Sequence, residues 1–151
     1  MPRPAVLFDL DGTLCDTTEI EHLIEGPDPD YHAFHAASAG CPARPELVEA
    51  ARRAREDGRA VLLVTSREFI WRDLTLDWLV AHQIEHDGLY MRYASDFRPA
   101  QVVKAELLEQ LRDDGFDPVE AWEDRDDILQ LWRDAGIPVV HDTRESVSHQ
   151  P

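Results

Sequence analysis

Lysine is nearly missing from this chain. Of its 15 Lys plus Arg, 14 are Arg and only Lys104 is Lys, set against 31 Asp plus Glu for a formal net charge of −16. So acidic a surface excludes tight nonspecific binding of long nucleic acid, which depends on basic side chains neutralising phosphates. Cysteine is scarce as well. Cys15 and Cys41 suit a reducing compartment and read as free thiols rather than a disulfide staple. Long apolar runs are absent: the one that follows Met-Pro-Arg-Pro is cut by Asp9 and Asp11. It is too short for the core of a secretory signal or for a membrane span. A soluble, cytoplasmic protein with no membrane association is expected. There is no low-complexity segment and no repeat, and 151 residues at 43% hydrophobic suit a single domain over 1–151 with one core.

The residues present alternate between two periods. Short apolar runs at 4–9, 60–64, 119–122 and 137–140, with a weaker one at 89–91, read as buried strands. Between them, 45–58, 69–83, 100–113 and 126–135 carry apolar residues at helical spacing, and Gly58 and Gly136 stop two of these helices. Polar, chemistry-bearing residues follow the strand ends. The expected fold is α/β, a doubly wound parallel sheet with its site at the carboxyl edge. Residues 15–44 have no strong period and contain Pro27, Pro29, Gly40 and Pro42; they are expected to form a small cap inserted after the first strand. The polar tail 142–151 is expected to be loose. Trp71, Trp78, Trp122 and Trp132 read as core or half-buried, and Tyr31 and Phe34 either pack the cap or stack on a base.

The strongest chemical signal is Asp9-Leu10-Asp11-Gly12-Thr13. Two acids one residue apart at a strand end point the same way if the chain stays extended, and Gly12 then permits a tight turn. Such a pair can divide labour between attack and proton transfer. An arginine-rich composition also makes the one lysine informative, because a compact ammonium serves where a planar guanidinium does not.

With Thr65 after the second strand, Lys104 near a helix start and Glu123-Asp124 after the fourth strand, the chain resembles the haloacid dehalogenase superfamily over about residues 4 to 141. Thr65-Ser66-Arg67, Met91-Arg92, Asp96-Phe97-Arg98, Lys104 and Glu123-Asp124-Arg125 resemble more closely the phosphatase domain of bacteriophage-type polynucleotide kinase/phosphatase, which removes 3′-phosphates from nucleic-acid ends. Two positions depart from that pattern: Glu123 stands where the family usually has Asp, and Ile20 lies near the place of an expected arginine. No phosphate-binding loop of the Gly-x-x-x-x-Gly-Lys kind is present.

The resemblance implies a phosphatase that uses Mg²⁺ and an aspartyl-phosphate. Asp9 would be the nucleophile and Asp11 the acid and then base. Thr65 and Lys104 would complete the catalytic set. Asp9, the Asp11 carbonyl and Asp124 would hold the metal. Gly12, Thr13, Ser66, Arg67, Arg92 and Arg98 would contact substrate. Glu123 would support the metal site, with Asp127 as an alternative acid. A phosphorylated nucleotide or nucleic-acid 3′ end is the expected substrate, with a separate kinase or ligase as partner. A small-molecule phosphatase such as a mononucleotidase is the rival reading. A purely non-catalytic module is disfavoured, because Asp9, Asp11, Lys104 and Asp124 are all retained.

Overall fold

The structure, a computed structural model, describes residues 1–148. Five strands, β1 (Arg3–Phe8), β2 (Ala60–Glu68), β3 (Gly88–Arg92), β4 (Phe116–Glu123) and β5 (Val139–Asp142), form one all-parallel sheet in the order β3-β2-β1-β4-β5. The chain starts in the centre, winds outward through β2 and β3, then crosses back to β4 and β5. This places a topological switch at the tip of β1, where its two neighbours' connections diverge.

Alternation along the strands splits the core in two. Ala5, Leu7, Leu62 and Val64 face α4 (Ala100–Asp113) and α5 (Asp126–Asp134), with Trp132 fully enclosed. Val6, Phe8, Val61 and Leu63 face α2 (Pro45–Glu56) and α3 (Arg72–Ala81). Both faces of the sheet are therefore covered, which is why its strands read as unbroken apolar runs.

Residues 15–44 form a cap built from a 3₁₀ turn (Thr18–Leu23), the short helix α1 (Tyr31–Ala37) and a second 3₁₀ turn (Ser38–Gly40). Asp30 starts α1 by accepting from the Ala33 N–H, a side-chain N-cap. The insert leaves and returns at one place, because Cys15 bridges Ala43 and the Asp16 N–H donates to Pro42. Cys15 and Cys41 are both buried and free.

Several boundaries differ from expectation. β2 runs on through Thr65-Ser66-Arg67 to Glu68, pairing with β3 across a register shift between Thr65 and Glu68. β4 begins at Phe116 and includes Pro118; a register shift opposite Ala5 and Val6 takes up the irregularity of a residue without an N–H. β5 covers Val139–Asp142 rather than 137–140. The tail is not loose from Asp142: Asp142 closes β5 and Thr143–Ser148 form a further helix, α6. The rest of that expectation, 149–151, lies outside the described residues. Among the described residues, no helix is long and apolar enough to cross a membrane.

Candidate active site

Asp9 follows directly on β1 and is 8% exposed. The turn after it is closed by backbone bonds: Gly12 N–H to Cys15, Thr13 N–H to Leu10 and Cys15 N–H to Leu10. Gly12 takes φ +81°, and a Cβ there would overlap the Asp124 carboxylate. Only glycine satisfies both the left-handed backbone and this close approach. The Gly12 and Thr13 amides are thus committed to the turn, while the Thr13 hydroxyl is buried with no partner.

Lys104 reaches the same point from the opposite layer. Ala100, Val103, Leu107, Leu108 and Leu111 make the buried stripe of α4, and Lys104 is the one charged residue within it. Its ammonium donates to Asp9 Oδ1 at 3.0 Å and to Glu123 Oε1 at 2.7 Å. Glu123, fully buried at the end of β4, uses its second oxygen to accept from the backbone N–H groups of Asp124 and Arg125.

Burial works against ionising Glu123, but the Lys104 charge and hydrogen bonds override it and hold the carboxyl down at about 2. Burial and then the Glu123 charge push Asp9 well above the carboxylate range, with Lys104 opposing. Asp124 is pushed up to about 7 by burial and by Glu123.

Asp9, Glu123 and Asp124 each offer an oxygen within 4.8 Å of the others. Three carboxylates against one ammonium leave an excess of negative charge that suits a divalent cation. Asp124 Oδ1 is buried and has no partner, as expected of a hard-cation ligand. Both Glu123 oxygens are already used, so Asp9 and Asp124 are the available carboxylates. The residues fit Mg²⁺.

Asp11 lies in a different environment. Arg67, on β2 and enclosed, forks onto it, with Nε to Oδ2 at 3.0 Å and Nη2 to Oδ1 at 2.7 Å, while Nη1 donates to Thr75 at 2.9 Å. A cap residue, His35, sits 3.9 Å from Asp11 Oδ2 with Nδ1 unbonded, and burial lowers its proton affinity. Thr65 is buried and accepts from the Arg67 N–H. Arg44 ties the end of the cap to the site by donating to the carbonyls of Gly12 and Thr143.

The structure thus brings Asp9, Asp11, Gly12, Thr65, Arg67, Lys104 and Asp124 together, but the arginines are not free forks. Arg67 is spent on Asp11 and Thr75. Arg92 donates to the carbonyls of Ser66, Asp96 and Arg98, and Arg98 pairs with Asp96 and Glu106. Asp127 is paired with Arg125. Sequence reasoning placed His35 in the cap within reach of substrate, but missed Glu123 as the second anchor of Lys104, and also Thr75 and Arg44. An acid at the end of an apolar strand was a usable signal for Glu123; the others carry none. Two surface grooves of 360 and 310 Å³ lie along α2, and no site residue lines either.

A sheet wound outward from β1, with a paired-acid turn at its tip and a lysine and an acidic strand end converging there, defines a phosphatase of the haloacid dehalogenase type. The family described as the polynucleotide kinase PNKP phosphatase domain matches residues 3–144, and the chain belongs to it. Two structures of the Pnkp1/Rnl/Hen1 complex, one described as an RNA repair complex, contain a chain similar to this one. They have 25% and 27% identity and a TM-score of 0.78, each over 93% of this chain. This chain spans only 42% and 45% of those chains. The class C acid phosphatase of Bacillus anthracis shares the fold, with TM-score 0.66 and 15% identity over 92% of this chain and 65% of that one. No curated protein sequence matches significantly.

Removing the lysine charge leaves two buried carboxylates facing each other. Lys104→Gln is expected to lower stability by about 3–5 kcal/mol in cation-free buffer, measured by urea denaturation; a loss under about 1 kcal/mol would contradict the triad. A second expectation concerns pH. In cation-free protein Asp124 stays protonated up to about 7, while in the unfolded chain it ionises near 3.8. Between those values folding takes up a proton, so this contribution falls as pH rises through the window. A cation bound to the ionised form reverses the loss. His35 and His86, held neutral by burial, act oppositely below their ordinary value of 6.5, so the readout is the Tm rise caused by Mg²⁺. That rise is expected to be larger near pH 8 than near pH 5.5 and to vanish in Asp124→Asn. Equal rises at both values would remove Asp124 from the cation site.

Proposed function

We propose that this domain hydrolyses phosphate monoesters through an aspartyl-phosphate on Asp9, with Mg²⁺ as cofactor, and that its substrate is the 3′-phosphate of a nucleic-acid end or nucleotide. The observation that carries the chemistry is the opposite treatment of two acids from one turn. Asp9 is held by an ammonium among carboxylates, and Asp11 is locked in orientation by a buried guanidinium fork. Groups placed in different environments take different roles.

An Asp9 oxygen bonds to phosphorus as the ester P–O bond breaks, and Asp11, having taken up a proton from solvent as substrate binding loosens the Arg67 fork, gives that proton to the departing oxygen. Water then attacks phosphorus, its proton passes to Asp11, and the bond to Asp9 breaks to release phosphate. Mg²⁺, when bound by the Asp9 and Asp124 carboxylates and the Asp11 carbonyl oxygen, supplies the positive charge that lets a carboxylate approach a phosphate dianion. Lys104 aims Asp9 and offsets charge on the transferring group. The hydroxyls of Thr65 and Thr13 would donate to that group, and Ser66 would contact the substrate.

The family match and the likeness to a chain of an RNA repair complex support the 3′-end reading, and the same likeness supports a separate kinase or ligase partner. One observation favours a mononucleotidase instead: Arg67, Arg92 and Arg98 are all engaged with protein groups on a chain of net charge −16.

Phosphate release is to be compared on a 3′-phosphorylated oligonucleotide, its 5′-phosphorylated twin and free 3′- and 5′-mononucleotides. Turnover is expected to favour the 3′-phosphorylated oligonucleotide and to stop in excess chelator. Asp9→Asn should lower kcat by about 10⁴-fold or more. Preference for free mononucleotides would establish the rival reading, and an undiminished Asp9→Asn rate would sink the mechanism.

A further inference from the structure

Exposed aliphatic residues such as Val80 and Val139 are scattered over this domain, but its exposed aromatic rings are not. Tyr31, Phe69, Tyr93 and Phe97 are between 55% and 83% exposed, and all stand at the carboxyl edge of the sheet on its β2–β3 side or on the cap beside it. Isolated exposed apolar residues need no explanation, but a contiguous set points to a ligand or partner. Register brings two of them together. Glu68 pairs with Arg92, so the chain leaves β2 and β3 side by side, with Phe69 and Tyr93 as the next residues. Arg92 then fixes the loop bearing Tyr93 and Phe97 through its three bonds to carbonyls.

The inner end of the set reaches the reacting carboxylate. The rings of Trp71 and Tyr31 lie 5.9 and 6.4 Å from that of His35, and His35 lies 3.9 Å from Asp11. Of the two cap aromatics, Phe34 is the one that packs inward, at 3% exposed, while Tyr31 faces solvent.

We propose that this rim is a stacking track for the unpaired nucleotides next to the scissile phosphate, so that the enzyme holds a single-stranded end by its bases and not by its backbone charge. The inference rests on Asp9 and Asp11 as the reacting pair, but not on which hydroxyl carries the phosphate. Every base presents a π face, so stacking tolerates any sequence. Arg92 and Arg98 at the rim are committed to protein carbonyls and carboxylates, Arg72 lies over the Phe69 ring at 5.8 Å, and the net charge of −16 repels a phosphate backbone at long range. A protein partner could also cover exposed aromatics. The contacts of the Tyr31 and Trp71 rings with His35, which lies beside Asp11, favour the substrate.

The test uses the intact chain. The ratio of kcat/KM for a 3′-phosphorylated single-stranded oligonucleotide to that for glycerol phosphate is measured in wild type, Tyr31→Ala and Phe97→Ala, with Tyr31→Phe and Phe97→Tyr keeping the rings. Each alanine variant is expected to lower the ratio about 5- to 150-fold, and the ring-retaining variants to keep it. Oligonucleotide binding to the Asp9→Asn protein should weaken by about tenfold or less between roughly 50 and 200 mM salt, far below the loss seen with many phosphate contacts. A strong wild-type preference that survives both alanine changes would overturn the track and leave the 3′-end reading standing. If those variants instead abolish self-association or capture of a protein, the rim is a protein interface and the track is overturned. A wild type that prefers neither this oligonucleotide nor its 5′-phosphorylated twin over glycerol phosphate would overturn the track, while preference for the 5′ twin alone would remove only the 3′-end reading.

Discussion

The ammonium of Lys104, held between Asp9 and Glu123 at the tip of the central strand, is the contact on which the rest of the site depends. All three groups are 8% exposed or less, so each charge has lost most of its hydration, and only the others and the local amides replace it. Glu123 is itself fixed by the N–H groups of Asp124 and Arg125. The stem of Lys104 runs through the apolar stripe of α4, where packing limits its freedom. The sheet, one helix and the β4 turn are thereby joined at a single point. Asp9 is pinned on one oxygen, and Asp124 is placed beside it with one oxygen unsatisfied.

That arrangement explains why two acids of one short turn are not equivalent. Asp9 belongs to a cluster with too much negative charge and is driven toward protonation unless a cation joins it. Asp11 has left the cluster. Arg67 receives it with two nearly parallel bonds, and the fork is itself braced by Thr75. A bidentate guanidinium fixes direction as well as charge and favours the ionised carboxylate, the state in which Asp11 would, on the proposed mechanism, take a proton from the attacking water. The tight turn through Gly12 makes the divergence possible, since a side chain there would displace Asp124.

Much of this was legible in the sequence, for physical reasons that also mark where reading stops. Strands covered on both faces must be apolar throughout, so β1 and the first half of β2 stood out. The polar continuation of β2 through Thr65-Ser66-Arg67 did not, because those residues are buried by partners from other elements rather than by their own character. Lys104 was legible twice, as the one lysine and by its place near a helix start. Arg67 and Arg92 were expected to clamp substrate, yet their forks turn to Asp11 and to backbone carbonyls. Which acceptor an arginine faces is decided by packing between distant segments, and no local spacing encodes it. α6 was missed because its residues, Thr143–Ser148, show almost no apolar period.

The arginines complete the physical picture. An acidic chain that keeps 14 of them appears well supplied with phosphate binders, but around the site the forks are spent internally: Arg44 on two carbonyls and Glu46, Arg67 on Asp11, Arg92 on three carbonyls, Arg98 on two acids. Their work is to hold loops at the carboxyl edge of the sheet in one shape. On the proposed mechanism, positive charge for the phosphoryl group would come from Lys104 and a cation brought from solution, both beside Asp9. A site that focuses its positive charge on the transferring group, with a repelling field farther out, gains little from the other phosphates of a chain. Contact area beyond the reacting group must therefore be apolar or aromatic, and the exposed surface beside the site has that character.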